Sequence, residues 1–345
     1  MSATHPPVRY LVLWLTTACN LHCAYCYRDD QPPRTMPLGV ARSALELAAA
    51  SGLPFHVQMA GGEPTLEPQL MEAIGRMVRQ AGWPATLAVQ TNGTLIDRAL
   101  IDLCRRHEIS VGLSLDGPPE VQERSRGGAG ATFRGLSLLA QAGAPVRITA
   151  VLSSFNVLEL GRLAFTAASF SNVKGIGLDP VVLKGRAAGR EYLVPSQIHL
   201  RTGVGIMLAT INELSRLHRP RIRWRELDSV REALRGDGPR GSYCHACLGE
   251  SLAVHPDGTV YPCGQTVGDP AMAAGTVEHV DWHGLRGMFE TVRMEGNCGQ
   301  CPLRGRCPGD CPSRLRYNGS QCAATPIMCQ VYETMIGLTE RMRLS

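Results

Sequence analysis

The sequence predicts an α/β protein: a partial, open (β/α)6 barrel followed by a small loop-rich region held together by metal. Three observations carry this. Six short apolar runs alternate with six amphipathic stretches before residue 236. Nine of the 13 cysteines crowd between Cys244 and Cys329. Between the two regions Gly236-Asp237-Gly238-Pro239-Arg240-Gly241 reads as a linker.

The predicted strands are Tyr10–Leu15, Phe55–Met59, Thr86–Gln90, Ser110–Leu115, Val146–Leu152 and Gly175–Val182. The helical patterns between them are Val40–Ala50, Pro68–Gln80, Asp97–Arg106, Phe133–Ala142, Val157–Ala168 and Ile198–Leu217. Strand-then-helix units imply parallel strands with right-handed crossovers. Val146–Leu152 is almost wholly apolar, as a strand covered on both faces should be. Six units are too few for a closed eight-fold barrel. Beyond the linker, Leu252-Ala253-Val254, Asp257-Gly258 and Thr259-Val260-Tyr261 read as a hairpin. This tail has little apolar sequence, so bound metal is expected to hold it. The chain therefore divides into an N-terminal tail at 1–9, a barrel at 10–235 and a cysteine-rich domain at 236–345.

Composition excludes several classes. With 44% hydrophobic and 19% charged residues the chain is globular rather than disordered. No run approaches the ~18 apolar residues of a membrane span. Met1–Tyr10 has two prolines and no apolar core, so no secretory signal is expected and the location is cytoplasmic. The net charge of +5 is modest, Lys174 and Lys184 are the only lysines, and Arg216–Arg225 reads as a solvated surface, so nucleic acid is not an expected partner.

In a reducing compartment, crowded cysteines mean metal before disulfides. Cys19, Cys23 and Cys26 follow the first strand directly. Three thiolates so close together can ligate three irons of a cubane cluster and leave the fourth open. Zinc would want a fourth ligand, and His22 sits awkwardly beside Cys23. Gly61-Gly62-Glu63-Pro64 follows the second strand; its glycines permit close backbone approach, and Glu63 is an acceptor for an ammonium group. Gln90-Thr91-Asn92-Gly93 and Ser114-Leu115-Asp116-Gly117-Pro118 end the third and fourth strands, at the catalytic edge of a parallel barrel. Thr91, Asn92, Ser114 and Asp116 are site candidates there, with turn capping as the competing reading. Arg126, in the Gly-rich loop Ser125–Gly130, is a candidate to meet a carboxylate, with a surface position as the competing reading.

C-x3-C-x2-C with an aromatic before the third cysteine, followed by these turns in this order, resembles the signature of the radical S-adenosylmethionine (SAM) enzymes. The resemblance implies a [4Fe-4S] cluster on Cys19, Cys23 and Cys26 whose open iron chelates SAM. It places Tyr25 near the adenine, Ser114 near the ribose, and the other turn residues around the cofactor. The later cysteines resemble the SPASM extension, which binds two auxiliary [4Fe-4S] clusters. By that analogy Cys244, Cys247, Cys263 and Cys311 hold the first, and Cys298, Cys301, Cys307 and Cys329 the second. The short Cys244–Cys247 gap departs from the pattern, and Cys322 is a spare that could replace Cys329. Cys104 reads as a core residue. Two structural zinc sites are the competing reading of the tail.

The resemblance implies a 5′-deoxyadenosyl radical acting on a peptide or protein side chain, with an external one-electron reductant such as flavodoxin or ferredoxin. Anaerobic sulfatase maturases, which make formylglycine, share the layout, but they carry an aspartate base after the cysteine matching Cys263 and commonly glutamine before the GGEP turn. Here those positions are Gly264 and Ala60. Maturation of a ribosomally made peptide is therefore the leading expectation and sulfatase maturation the second. A small-molecule radical oxidase and a non-catalytic iron–sulfur electron carrier are the remaining alternatives. The nine residues before Tyr10 are too few for a leader-binding domain, so leader recognition is expected from a separate leader-binding protein or from the barrel surface, or is not needed. Asp179, Asp257, Asp310, His245 and His255 are candidate bases that spacing does not separate.

Overall fold

A computed structural model describes residues 6–217, 222–236, 242–289, 300–304, 306–307, 309–319 and 326–343. Its strands and helices run in the order β1 (Tyr10–Thr16), α1 (Leu38–Ala49), β2 (Phe55–Gly61), α2 (Pro68–Ala81), β3 (Ala85–Thr91), α3 (Arg98–Arg106) and β4 (Ile109–Ser114). There follow α4 (Pro119–Ser125), α5 (Ala129–Gln141), β5 (Val146–Leu152), α6 (Leu160–Ala168), β6 (Val173–Pro180), α7 (Gln197–Arg216), β7 (Arg223–Trp224) and α8 (Arg225–Arg235). The C-terminal part adds β8 (Ser251–Val254), β9 (Val260–Tyr261), α9 (Trp282–Gly287), α10 (Pro312–Asn318) and α11 (Ile327–Arg343).

The strands form one sheet in the order β7-β6-β5-β4-β3-β2-β1-β8-β9. Every neighbouring pair is parallel except β8 with β9. The alternation of β1 decides its two faces. Leu11, Leu13 and Leu15 enter the main core beneath the helices, while Val12 and Trp14 turn to a second cluster with Ala253, Tyr261 and Val267. Helix ends follow local chemistry. Asp97 accepts from the Leu100 N–H at 2.8 Å to start α3, Pro68 opens α2, and Gly82 ends it in the left-handed region.

The six predicted strands are all present. Three features were not anticipated. A short helix, α4, occupies 119–125 after the DGPP turn. The stretch read as solvated surface instead contains β7, with Trp224 buried at 1% exposure, and leads into α8; its residues 218–221 lie outside the described residues. Arginine-rich flanks concealed the single indole that anchors it. The predicted hairpin is also not a free-standing piece of the tail. β8 pairs with β1 in parallel, Leu13 facing Val254, and Leu252 and Val254 join the main core.

No helix among the described residues is long and apolar enough to cross a membrane.

Candidate functional site: a cysteine loop held by three strand-end turns

Cys19, Cys23 and Cys26 lie half-buried on the loop after β1. Burial raises the Cys19 thiol and pushes Cys23 up to about 11. Arg28 beside Cys19 and Arg126 beside Cys23 act in the opposite direction. A loop of thiols under cationic side chains is suited to an anionic metal cluster.

The three turns singled out in the sequence brace this loop. The Gly62 N–H donates to Thr16 O at 2.8 Å and the Glu63 N–H to Ala18 O at 2.9 Å. A Cβ on Gly61 would stand 2.4 Å from Thr16 O, and one on Gly62 1.8 Å from Ala18 O. The close approach that requires glycine here is to the cysteine loop's own backbone. Glu63 Oε1 accepts from the Thr65 N–H and both the Thr65 and Thr91 hydroxyls, and Oε2 from the Asn92 N–H at 2.8 Å. Burial raises the Glu63 pKa against these donors. Oε2, with one donor, is the oxygen with capacity left.

Asn92 reaches the loop directly, donating to Asn20 Oδ1 at 2.9 Å, while its own Oδ1 accepts from Thr94. The third turn contributes Asp116, which is fully buried. Its carboxylate accepts from the Tyr25 hydroxyl, from Ser125 Oγ at 2.9 Å, from the Val151 N–H at 2.9 Å and from Arg126 at 3.1 Å. Burial raises Tyr25 far above an ordinary phenol. Burial also opposes the Arg126 charge, but Asp116 together with Tyr25 and Cys23 outweighs it and holds the guanidinium ionised. Arg126 lies 5.4 Å over the Tyr25 ring, and its buried Nε has no partner. Ser114 accepts from Gln90 Nε2 at 2.9 Å, and Pro64 is buried in the turn. Thus Tyr25, Gly61, Gly62, Glu63, Thr91, Asn92, Asp116 and Arg126 are brought together around the loop.

Four C-terminal cysteines also converge. Cys244 and Cys247 stand with their sulfurs 3.8 Å apart, close enough to share a proton. Cys311 is within charge–charge range of both Cys244 and Cys263. Burial pushes Cys263 up to about 11. Cys301 accepts from the Leu303 N–H and Cys307 from the Gly309 N–H, each at 3.4 Å. Tyr332, one turn after Cys329, is within charge range of Cys307. Cys298 and Cys322 lie outside the described residues. Cys104 is buried in the main core. Among the described residues no three His, Cys, Asp or Glu side chains enclose a single-ion site.

The candidate bases separate in the structure. Asp310 is bound to Arg314 and to the Cys311 N–H, wholly enclosed. His245 is exposed and pairs with Glu250 at 3.1 Å. Asp179 meets Arg225 at 2.8 Å. Asp257 holds His255 Nδ1 at 2.9 Å, and the buried His255 Nε2 has no partner, its ring 6.3 Å from Trp14. Sequence reasoning missed Asn20, whose hydrogen bonds join the cysteine loop to the third strand's turn, and Arg28, which donates to Thr17 O at 2.7 Å. Neither carried a motif; the basic residue just after Cys26 was the available signal for Arg28.

Residues 15–159 match the radical SAM superfamily. A serine-type anaerobic sulfatase-maturating enzyme of Klebsiella aerogenes is 26% identical, the alignment covering 91% of this chain and 82% of that protein. An uncharacterized protein of Methanocaldococcus jannaschii is 26% identical over 74% of this chain and 85% of its own length. Among solved structures, anSMEcpe with bound AdoMet superposes with a TM-score of 0.78 at 22% identity, covering 96% of this chain and 93% of that one. SuiB of Streptococcus suis bound to S-adenosylmethionine gives 0.67 at 16% identity, covering 94% and 77%. The shared fold thus extends through the C-terminal region, and this chain carries a radical SAM domain, related in sequence to the anaerobic sulfatase-maturating enzymes.

Proposed function

We propose that the protein oxidatively modifies a side chain of a ribosomally made peptide or protein. The observation that carries this reading is the second cysteine field. Cys244 and Cys263 pack beside the Val12 and Trp14 face of β1, Cys247 and Cys311 lie near them, and β1 leads into the Cys19–Cys26 loop. Two thiol fields on one scaffold suit a net oxidation, in which one site starts the chemistry and another receives the electron left over. Solved relatives support the substrate class: anSMEcpe has been seen with a Cp18Cys peptide and SuiB with its precursor peptide SuiA.

In this reading Cys19, Cys23 and Cys26 hold the SAM-binding [4Fe-4S] cluster. Cys244, Cys247, Cys263 and Cys311 hold one auxiliary cluster, and Cys298, Cys301, Cys307 and Cys329 a second, in a domain spanning 236–345. When bound, reduced cluster and SAM supply a 5′-deoxyadenosyl radical. The chain's own residues orient and enclose. Glu63 Oε2 is assigned to the SAM ammonium and Arg126 Nε to its carboxylate, with Tyr25 against the adenine and Ser114 against the ribose. His255, oriented by Asp257, is the candidate proton acceptor. A flavodoxin or ferredoxin supplies electrons.

The sulfatase reading is second because Gly264 offers no carboxylate. Space does not impose that glycine: a Cβ there would meet Val12 at 3.6 Å and Trp14 Nε1 at 3.8 Å, ordinary contacts. The test is anaerobic turnover with SAM, dithionite and candidate peptides, followed by mass spectrometry and hydrazide capture. The expected result is 5′-deoxyadenosine with a peptide that has lost two hydrogens and carries no aldehyde. An aldehyde would establish formylglycine formation instead. Absence of 5′-deoxyadenosine from fully loaded protein would leave only an electron carrier.

A further inference from the structure

One of the two lysines in this chain lies between the two thiol fields. Lys184 follows β6 and is buried, with 8% of its surface exposed. Its Nζ donates to Val267 O at 2.8 Å and, more loosely, to Tyr27 O at 3.5 Å. Tyr27 adjoins Cys26. Val267 ends the turn that begins at Cys263, where Thr266 donates to Cys263 O through both its N–H and its hydroxyl. The ammonium also lies 5.8 Å from the Tyr317 ring centroid, on the helix that starts beside Cys311. Cys26, Cys263, Asp29 and Asp269 are all within its charge range.

The neighbouring backbone repeats the pattern. The Ala187 N–H donates to Cys26 O and the Arg186 N–H to Arg28 O, both at 3.3 Å. On the other side, Asn318 accepts from the Leu183 N–H at 2.8 Å and donates to Val181 O at 2.9 Å. Residues 181–187 are thus stitched to the Cys26 loop on one side and to the C-terminal region on the other. Lys184 supplies the charge at the seam. Burying an ammonium is costly without partners, and the partners here are backbone carbonyls of the two loops.

We propose that Lys184 is a positioning residue that fixes the Cys26 loop against the Cys263 loop and shares one positive charge between the two cysteine fields. A fixed cation favours the more negative, reduced state of a nearby cluster. It should therefore raise the reduction potential of each.

Three variants of the full chain separate anchor from charge. Lys184→Met removes both, Lys184→Gln keeps a donor without charge, and Lys184→Arg keeps charge. Hydrogen exchange on metal-free protein reads the anchor, and redox-poised electron paramagnetic resonance on reconstituted protein reads the charge. The expected result for Lys184→Met is exchange at least about 10-fold faster in both 26–28 and 263–268, since one lost hydrogen-bonded contact of about 1.4 kcal/mol is a tenfold change. Both Met and Gln should make the cluster potentials more negative, and Arg should restore them. Unchanged exchange in the Met variant, or faster exchange in one loop alone, overturns the anchor. Unchanged potentials in Gln overturn the shared charge. The redox arm rests on the iron–sulfur reading, whereas the exchange arm does not. Iron content measured on the wild type separates failure of that reading from failure of this one.

Discussion

At the residue scale, the site depends on contacts too close for a side chain. A methyl on Gly62 would lie 1.8 Å from Ala18 O, so Gly62→Ala must push the GGEP turn away from the cysteine loop. We expect a loss of about 3 kcal/mol in denaturant unfolding, together with loss of most iron bound at Cys19, Cys23 and Cys26. Gly39→Ala is the control, because no atom lies within 4 Å of its added methyl. It should keep full iron and gain up to about 1 kcal/mol from helix propensity. Equal iron in the two variants would show that the turn does not shape the loop. This contact also marks what the sequence could and could not reveal. The GGEP, QTNG and DGPP turns were legible as candidates because they end successive parallel strands in order after a cysteine triplet. Their partners were not. That Asn92 bonds Asn20 and Asp116 bonds Tyr25 follows from chain crossings that bring distant segments together, and no local pattern encodes those.

At the scale of elements, α7 rests on the turn at 157–159 through Gly203, whose added Cβ would stand 1.7 Å from Val157 O. Gly203→Ala should therefore destabilise the barrel by about 3 kcal/mol, although alanine is the better helix former. A stabilised variant in thermal unfolding would refute that packing. The α8 end is held by charge. Arg225 meets Asp179 at 2.8 Å and Glu226 at 2.7 Å, and Glu226 in turn accepts from the Leu178 N–H at 3.2 Å. Burial would raise Asp179, but Arg225, with Arg314 and Arg126 further off, outweighs it and holds the carboxyl below its usual range. A depressed folded pKa means that the stabilisation is present above the unfolded value of about 3.9 and is lost as pH falls through the folded one. Arg225→Met should cost about 1–2 kcal/mol at pH 7, discounted because the guanidinium is half exposed. The deficit should shrink below about pH 4, where the carboxylates protonate in both proteins. A deficit independent of pH would make the arginine's packing, not its charge, responsible. The sequence concealed this end because its helix and strand are short and bracketed by arginines, while the long periodic helices were readable.

At the scale of the whole molecule, the sheet crosses the boundary that the cysteine distribution suggests. A metal-dependent tail was the natural expectation from its sparse apolar content. In the structure β8 lies against β1, and Ser251 through Val254 are buried. Residues 300–311 have less support: their described part contains neither strand nor helix, and Leu303 and Asp310 are its buried anchors, with Cys301 and Cys307 only partly buried against the core. Metal should therefore stabilise the two parts unequally. Anaerobic loading should give about twelve irons with matching sulfide per chain if all three cysteine sets hold four-iron clusters. Chelation should then raise hydrogen exchange sharply around 300–311 while the β8 amides keep their protection, because β8's hydrogen bonds to β1 need no metal. Loss of protection in both parts together would mean that the sheet contact itself depends on the clusters. About four irons with zinc would make the C-terminal field structural, and the oxidation would then need an electron acceptor from outside the chain.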